Sequence, residues 1–206
     1  LKALLERIAL SFARKFTLKI FSMSTIYYPT GCDTGIPAHY CNPCDPVEHG
    51  RVRSVAFISN AFTFTDPTDP TEWQAGIDNG EIRIIPETLG AFDGGAPVEE
   101  PGFGDSQTRL TGFDYSLTFK DPNYKENCAF YDALKNSRNW KVAWRTENLV
   151  HISTSTVQAI PKNPITEELT SVVSWDTEVK WTQSNLHCPY DEPVGVFDCF
   201  ALVPFE

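Results

Sequence analysis

Alternation at period two between Asp105 and Asn185 constrains this chain more than any other feature. Phe113, Tyr115, Leu117 and Phe119 are apolar, while Gly112, Asp114, Ser116 and Thr118 between them are small or polar. Successive side chains on a strand point to opposite faces, so Arg109 to Lys120 is expected to be a strand with one buried face. Asp121-Pro122 then reads as a helix start, with Asp121 as N-cap and proline at the first helical position, where its missing N–H costs nothing. Tyr124, Cys128, Tyr131 and Lys135 recur at helical spacing, which places Cys128 on the core face of a helix running from Asn123 to Asn136. Beyond it Trp140, Val142 and Trp144 share one face of a strand, with Lys141 and Arg145 on the other. A polar strand from His151 to Ile160 and a turn at Pro161 to Pro164 should follow. A strand from Glu168 to Thr182 comes last, its odd positions held by Leu169, Val173, Trp175, Val179 and Trp181, and it far exceeds the usual five or six residues.

That order of elements resembles the phage tail tube proteins and the wider group of tube proteins from contractile injection systems. The resemblance covers roughly residues 105–186. It is carried by Thr111-Gly-Phe-Asp-Tyr-Ser-Leu-Thr-Phe-Lys120, the helix ending in Asp-Ala-Leu-Lys-Asn, the strand Trp140 to Glu147, and Val157-Gln-Ala-Ile-Pro161. It implies an antiparallel β-barrel or sandwich with one flanking helix, assembling with copies of itself into stacked, commonly hexameric rings. DNA would pass through without specific binding, other virion proteins would be partners, and the site of action would be the virion. No catalytic residue comes with the resemblance. The segment ahead of residue 105 does not match the usual members, so tail tube and neck, ring or terminator roles all stay open.

Composition agrees with a β-rich globular chain. Of 206 residues, 41% are hydrophobic and 13% aromatic, and 15 prolines against 12 glycines supply many turns. A formal net charge of −10 argues against a surface that grips nucleic acid, because phosphate contacts need clustered Lys and Arg. It suits a conduit that must not hold its cargo. If the polar faces of the long strands point into a lumen, Asp114, Asp176 and Glu178 are the candidates to line it and make it acidic.

The ends of that pattern are less regular. Residues 1–22 form a basic, broken amphipathic segment: Lys2, Arg7, Arg14, Lys15 and Lys19 outweigh Glu6, and Arg14-Lys15 interrupts the apolar run that a signal peptide needs. Met23-Ser-Thr-Ile-Tyr-Tyr-Pro resembles an ordinary start, so the mature protein is expected to begin near Met23 as one β-rich domain, 23–206. No stretch reaches the apolar length of a membrane span. Pro29 to His49 is turn-rich and carries Cys32, Cys41 and Cys44, the last two as C-x-x-C. Reduced thiols are the leading expectation, with disulfides or a structural zinc, completed by a histidine or by His187-Cys188, as alternatives; no cofactor is otherwise expected.

Val52 to Thr65 reads as a strand buried on both faces, continued by Phe62 and Phe64. Thr71 should cap one short helical turn, and Asn79-Gly80 a tight turn into the strand Glu81 to Ile85. Pro86 to Gly104 shows no period and reads as a long loop, whose Asp93, Glu99, Glu100 and Phe103 are candidates to contact a neighbouring subunit.

No enzyme site stands out. The four histidines lie apart in sequence, no Gly-x-Ser-x-Gly, His-Glu-x-x-His or P-loop pattern occurs, and Glu99-Glu100 and Glu167-Glu168 are adjacent pairs that a strand would point apart. Trp140, Trp144, Trp175 and Trp181 fall in step with other apolar residues and read as core. Were they exposed instead, they would suit a β-sandwich that binds carbohydrate or a host surface, as an adhesin or capsid decoration, and that is the alternative function.

Overall fold

The computed structural model describes residues 38–39, 48, 50–104, 108–165, 167–168 and 171–198. The chain divides into two compact units, Leu1–Asp45 and Pro46–Glu206, and every described strand and helix belongs to the second. The readings for residues 1–22, the Met23 start and Cys32, Cys41 and Cys44 lie outside the described residues.

The described elements in chain order are β1 (Ser54–Ser59), α1 (Pro70–Asp78), β2 (Ile82–Ile85), β3 (Leu89–Phe92), β4 (Ala96–Glu100), β5 (Arg109–Asp121), α2 (Cys128–Leu134), β6 (Trp140–Arg145), β7 (Leu149–Ile152), β8 (Gln158–Lys162), β9 (Trp175–Gln183) and β10 (Tyr190–Asp191). They make a mainly β fold of two antiparallel sheets, a sandwich and not a closed barrel. One sheet runs β10-β7-β6-β1-β2; the other runs β3-β5-β9-β8, with β4 also on β5.

The main core lies between the sheets. Tyr115, Leu117 and Phe119 of β5 and Val179 and Trp181 of β9 meet Val55 and Phe57 of β1 and Val142 and Trp144 of β6, while Tyr131 and Leu134 of α2 close one opening. The other face of β1 is buried as well, as its uninterrupted apolar run predicts: Ala56 and Ile58 join Trp73, Ile82 and Phe197 in a second cluster. Phe62 and Phe64 do not extend the strand. β1 stops at Ser59, and the two rings fold back to pack at 4.9 Å from each other, Phe64 at 4.6 Å from Trp73. The helix carrying Trp73 is capped by Asp69, which accepts from the Thr71 N–H, with Pro70 behind it; Thr71 is therefore inside the helix rather than its cap.

Five other expectations are corrected. Asp121 is the last inward-facing residue of β5, and its carboxylate is spent on Asn123, Asn127 and Tyr131. The segment 122–127 is held in turns, and α2 starts only at Cys128, which is exposed because Tyr131 and Leu134 form the buried face. The polar strand 151–160 is two strands in different sheets. The chain crosses between them at Ser153, whose hydroxyl donates to Ser155 O and accepts from Val142 N. β8 then runs on through Pro161, which an edge strand tolerates. The long final strand begins at Trp175, because β5 and β8 end opposite Trp175 and Asp176, which leaves Ser171 to Ser174 no strand partner among the described residues; Val173 is exposed.

The expected loop 86–104 contains two strands. β3 and β4 lie end to end along one edge of β5, and Asp93-Gly94-Gly95 forms a bulge opposite Tyr115 and Ser116. Asp93 Oδ1 accepts from Gly95 N and Ser116 N, both at 3.0 Å. Gly95 has φ +87°, and a Cβ there would overlap the Tyr115 ring. Gly95→Ala is therefore expected to cost about 2–3 kcal/mol from the left-handed backbone and the overpacked ring, measurable by denaturant unfolding.

Candidate functional site

Every second residue of β5 and β9 faces away from the core, and the nine-residue register between the two strands pairs them into one surface. Asp114, Ser116, Thr118 and Lys120 lie opposite Thr182, Lys180, Glu178 and Asp176. On the flank, β8 places Lys162 beside Asp176. The side chains are tied to one another across the strands and along β9. Thr182 Oγ1 donates to Asp114 at 2.5 Å, Lys120 pairs with Asp176 at 3.2 Å, and Lys180 pairs with Glu178 at 2.8 Å. The Lys180 ammonium, by hydrogen bond first and charge second, holds the Glu178 carboxyl below its ordinary range.

The structure thus brings the three candidate lumen residues, Asp114, Asp176 and Glu178, onto one outer face. That face also carries Lys120, Lys162 and Lys180, so three carboxylates meet three ammonium groups and the face is charge-balanced, unlike the acidic surface expected from the sequence. Interspersed charges of both signs and hydroxyls make a wet surface without a cation cluster for phosphates.

The four candidate contact residues divide into two places. Asp93 is used inside the β3–β4 bulge. Glu99 and Glu100 end β4, opposite Leu110 and Arg109 at the start of β5, and Phe103 follows with 96% of its surface exposed. The edge itself is guarded by Pro97 and the two glutamates, which discourages casual strand addition.

The histidines do not all stand apart. His151 and His187 both pack on Trp144, His151 stacked at 5.2 Å and His187 edge-on at 5.0 Å, with Phe92, Tyr115 and Trp181 around His187. His187 therefore serves the core, while its neighbour Cys188 is exposed. His187 Nδ1 sits 3.3 Å from Ile152 O, and its Nε2 and the Nδ1 of His151 are buried without a partner among the described residues. Sequence separation hid this meeting. Nearby, Glu48 accepts from Thr146 Oγ1, Glu147 N and Asn148 N at the β6–β7 turn. Burial opposes its charge, yet these bonds outweigh burial and pull its carboxyl down to about 2.

Burial lowers both imidazoles below their ordinary 6.5; the Glu48 charge opposes this at His151, and at His187 the Ile152 carbonyl opposes it while His151 adds to it. Below that pH the unfolded chain binds protons that the folded chain refuses, so stability is full above about pH 6.5 and falls as pH drops through the depressed values. The thermal midpoint is expected to fall between about pH 7 and pH 5, and a His151→Gln/His187→Gln variant to show a flatter profile over the same span.

Among the described residues no group of three or more His, Cys, Asp or Glu could hold a metal ion, and no helix is long and apolar enough to cross a membrane. All five tryptophans are buried in, or packed against, the two cores. No protein-family model, curated protein or solved structure matches the chain.

Proposed function

We propose that this chain is a structural subunit of a virion that closes with its own copies into a ring, hexameric as the tube-protein resemblance implies. Stacked rings then form a tail-tube or neck conduit for DNA. Its work is geometric and uses no catalytic residue. The observation that carries this reading is the outer face of β5 and β9. The two longest described strands present a run of hydroxyls and balanced charge, which suits the wall of a water-filled channel. Large apolar side chains are exposed near the ends of these strands, Leu89 and Val172 at one end and Phe103, Leu110 and Leu186 at the other. Those are the places where one ring would meet the next, with other virion proteins at the ends of the stack.

Charge reversal tests the wall. Asp176→Lys with Glu178→Lys turns the balanced face basic, and assembled virions carrying it are expected to retain DNA and deliver it slowly. DNA passage unchanged from the parent would remove the lumen role of this face.

A further inference from the structure

Beyond the C-terminal end of β5, a cleft of about 720 Å3 opens between the last residues of β5 and β6, the segment ahead of β1, the β2–β3 connection and the residues before β9. Arg51, Arg53, Lys120 and Arg145 line it, against Glu87 as the acid on its described wall, in a chain that is strongly acidic as a whole. Leu89 and Val172 add apolar surface, 54% and 74% exposed. Three of the cations hold carboxylates at the rim: Arg53 with Glu147, Lys120 with Asp176, and Arg145 with Glu192. The first two pairs are solvated and contribute little, so an incoming carboxylate can exchange with them at small cost. Arg51 forms no ion pair among the described residues.

The opposite end of the same strand carries the complement. Glu99 and Glu100 stand exposed at the end of β4, followed within three residues by the almost fully exposed Phe103. An acidic pair beside an aromatic anchor matches a cleft of cations with apolar patches between them. The chain's own tongue cannot fill its own cleft. β4 is laddered to the start of β5, and the thirteen residues of that strand separate the two by roughly 40 Å.

We propose that this cleft is a peptide-binding site for the segment Val98 to Phe103 of a second copy of the chain. Glu99 and Glu100 meet Arg51, Arg53 and Lys120, and Phe103 packs on Leu89 and Val172. Since donor and acceptor lie at opposite ends of one strand, the contact is head-to-tail and propagates along β5 rather than closing as a pair. It deepens the assembly reading, on which it rests for its biological meaning, by naming the surfaces that would join successive rings.

A synthetic peptide spanning Ala96 to Gly104, titrated into the full chain by calorimetry at low salt, is expected to bind with a Kd of order 0.1 mM and to weaken as salt rises. Peptides carrying Glu99→Lys/Glu100→Lys or Phe103→Ala, and the chain variant Arg51→Glu/Arg53→Glu, should each bind at least about tenfold more weakly. A folded Arg51→Glu/Arg53→Glu chain and a Glu99→Lys/Glu100→Lys chain should each fail to grow alone, and mixing them should restore growth in alternation, because the reversed tongue of one meets the reversed cleft of the other. Absence of peptide binding, or equal binding by the lysine peptide, overturns the proposal even if rings still form. Selective peptide binding by a chain that never forms rings keeps the contact and removes the ring reading instead.

Discussion

Trp144→Ala is expected to be the most damaging single substitution, at about 4 kcal/mol, which for a chain of this size lowers the thermal midpoint by roughly 8–16 °C. The indole is 1% exposed and joins the two sheets. From β6 it reaches Phe92 of β3 at 4.5 Å and Trp181 of β9 at 5.7 Å, while His151 stacks on it from the neighbouring strand β7. Removing it empties space that neither sheet can fill, because each is held in place by its own ladder, and large-to-small changes cost most where the surroundings cannot collapse. It also strips both histidines of their main packing surface, so the acid sensitivity expected for the parent should shrink in the variant. Differential scanning calorimetry at about pH 7 and pH 5.5 measures both effects. A loss below about 1 kcal/mol would mean that the sheets are not joined through this ring.

Asp121→Ala is expected to cost about 3 kcal/mol. The carboxylate is fully buried at the end of β5 and accepts three hydrogen bonds: from the Asn123 N–H at 2.9 Å, the Asn127 amide at 2.7 Å and the Tyr131 hydroxyl at 2.9 Å. Burial first, and the Asp121 charge second, push the Tyr131 hydroxyl above its ordinary range, so it stays protonated and donates. Truncation to alanine leaves a buried phenol without an acceptor and releases the turn that leads into α2, and breaking a buried charged network from one side is among the costliest changes available to a core. Asp121→Asn keeps one acceptor oxygen and should lose about half as much. Tyr131→Phe in the Asp121→Ala background should recover part of the loss, since the buried phenol left without its acceptor is then gone. Denaturant unfolding of the four chains forms the cycle, and full additivity would count against the network.

What could be seen in the sequence follows from where side chains had to choose a face. β5, the β9 residues after Trp175, β6 and the doubly buried β1 were legible because each alternates against a core or runs apolar through two of them. β3 and β4 were not. An edge strand held by the backbone of β5 needs no apolar period, and its Gly94, Gly95 and Pro97 spell a loop by composition. The same limit shortened the final strand: its alternation runs on ahead of Trp175, but among the described residues the ladders from β5 and β8 end at Trp175 and Asp176, and a period without a ladder does not make a strand. Asp121 followed by proline is a sound cap signal in isolation; here tertiary burial captured the carboxylate for Tyr131 instead.

The candidate surfaces divide in the same way. Strand parity alone was enough to put Asp114, Asp176 and Glu178 on one face. The lysines that balance them were on the same strands or on β8, and only the register Lys162 with Asp176 and Lys120 with Asp176 shows that charges of opposite sign alternate there. The basic cleft was invisible because five separate segments contribute to it, and no local pattern links Arg51 to Lys120 or Arg145. The pairing of His151 with His187 was hidden for the same reason: the crossing at Ser153 and the turn after Gln183 bring distant residues onto one indole.

Whether the chain closes into a conduit is decided by negative-stain electron microscopy of the purified protein over a range of concentrations, begun at both Leu1 and Met23. Closed rings with a central channel are expected at low concentration, and stacks of them at high concentration. Featureless particles of one size at every concentration would contradict the ring-forming role and leave a surface-binding sandwich as the better reading.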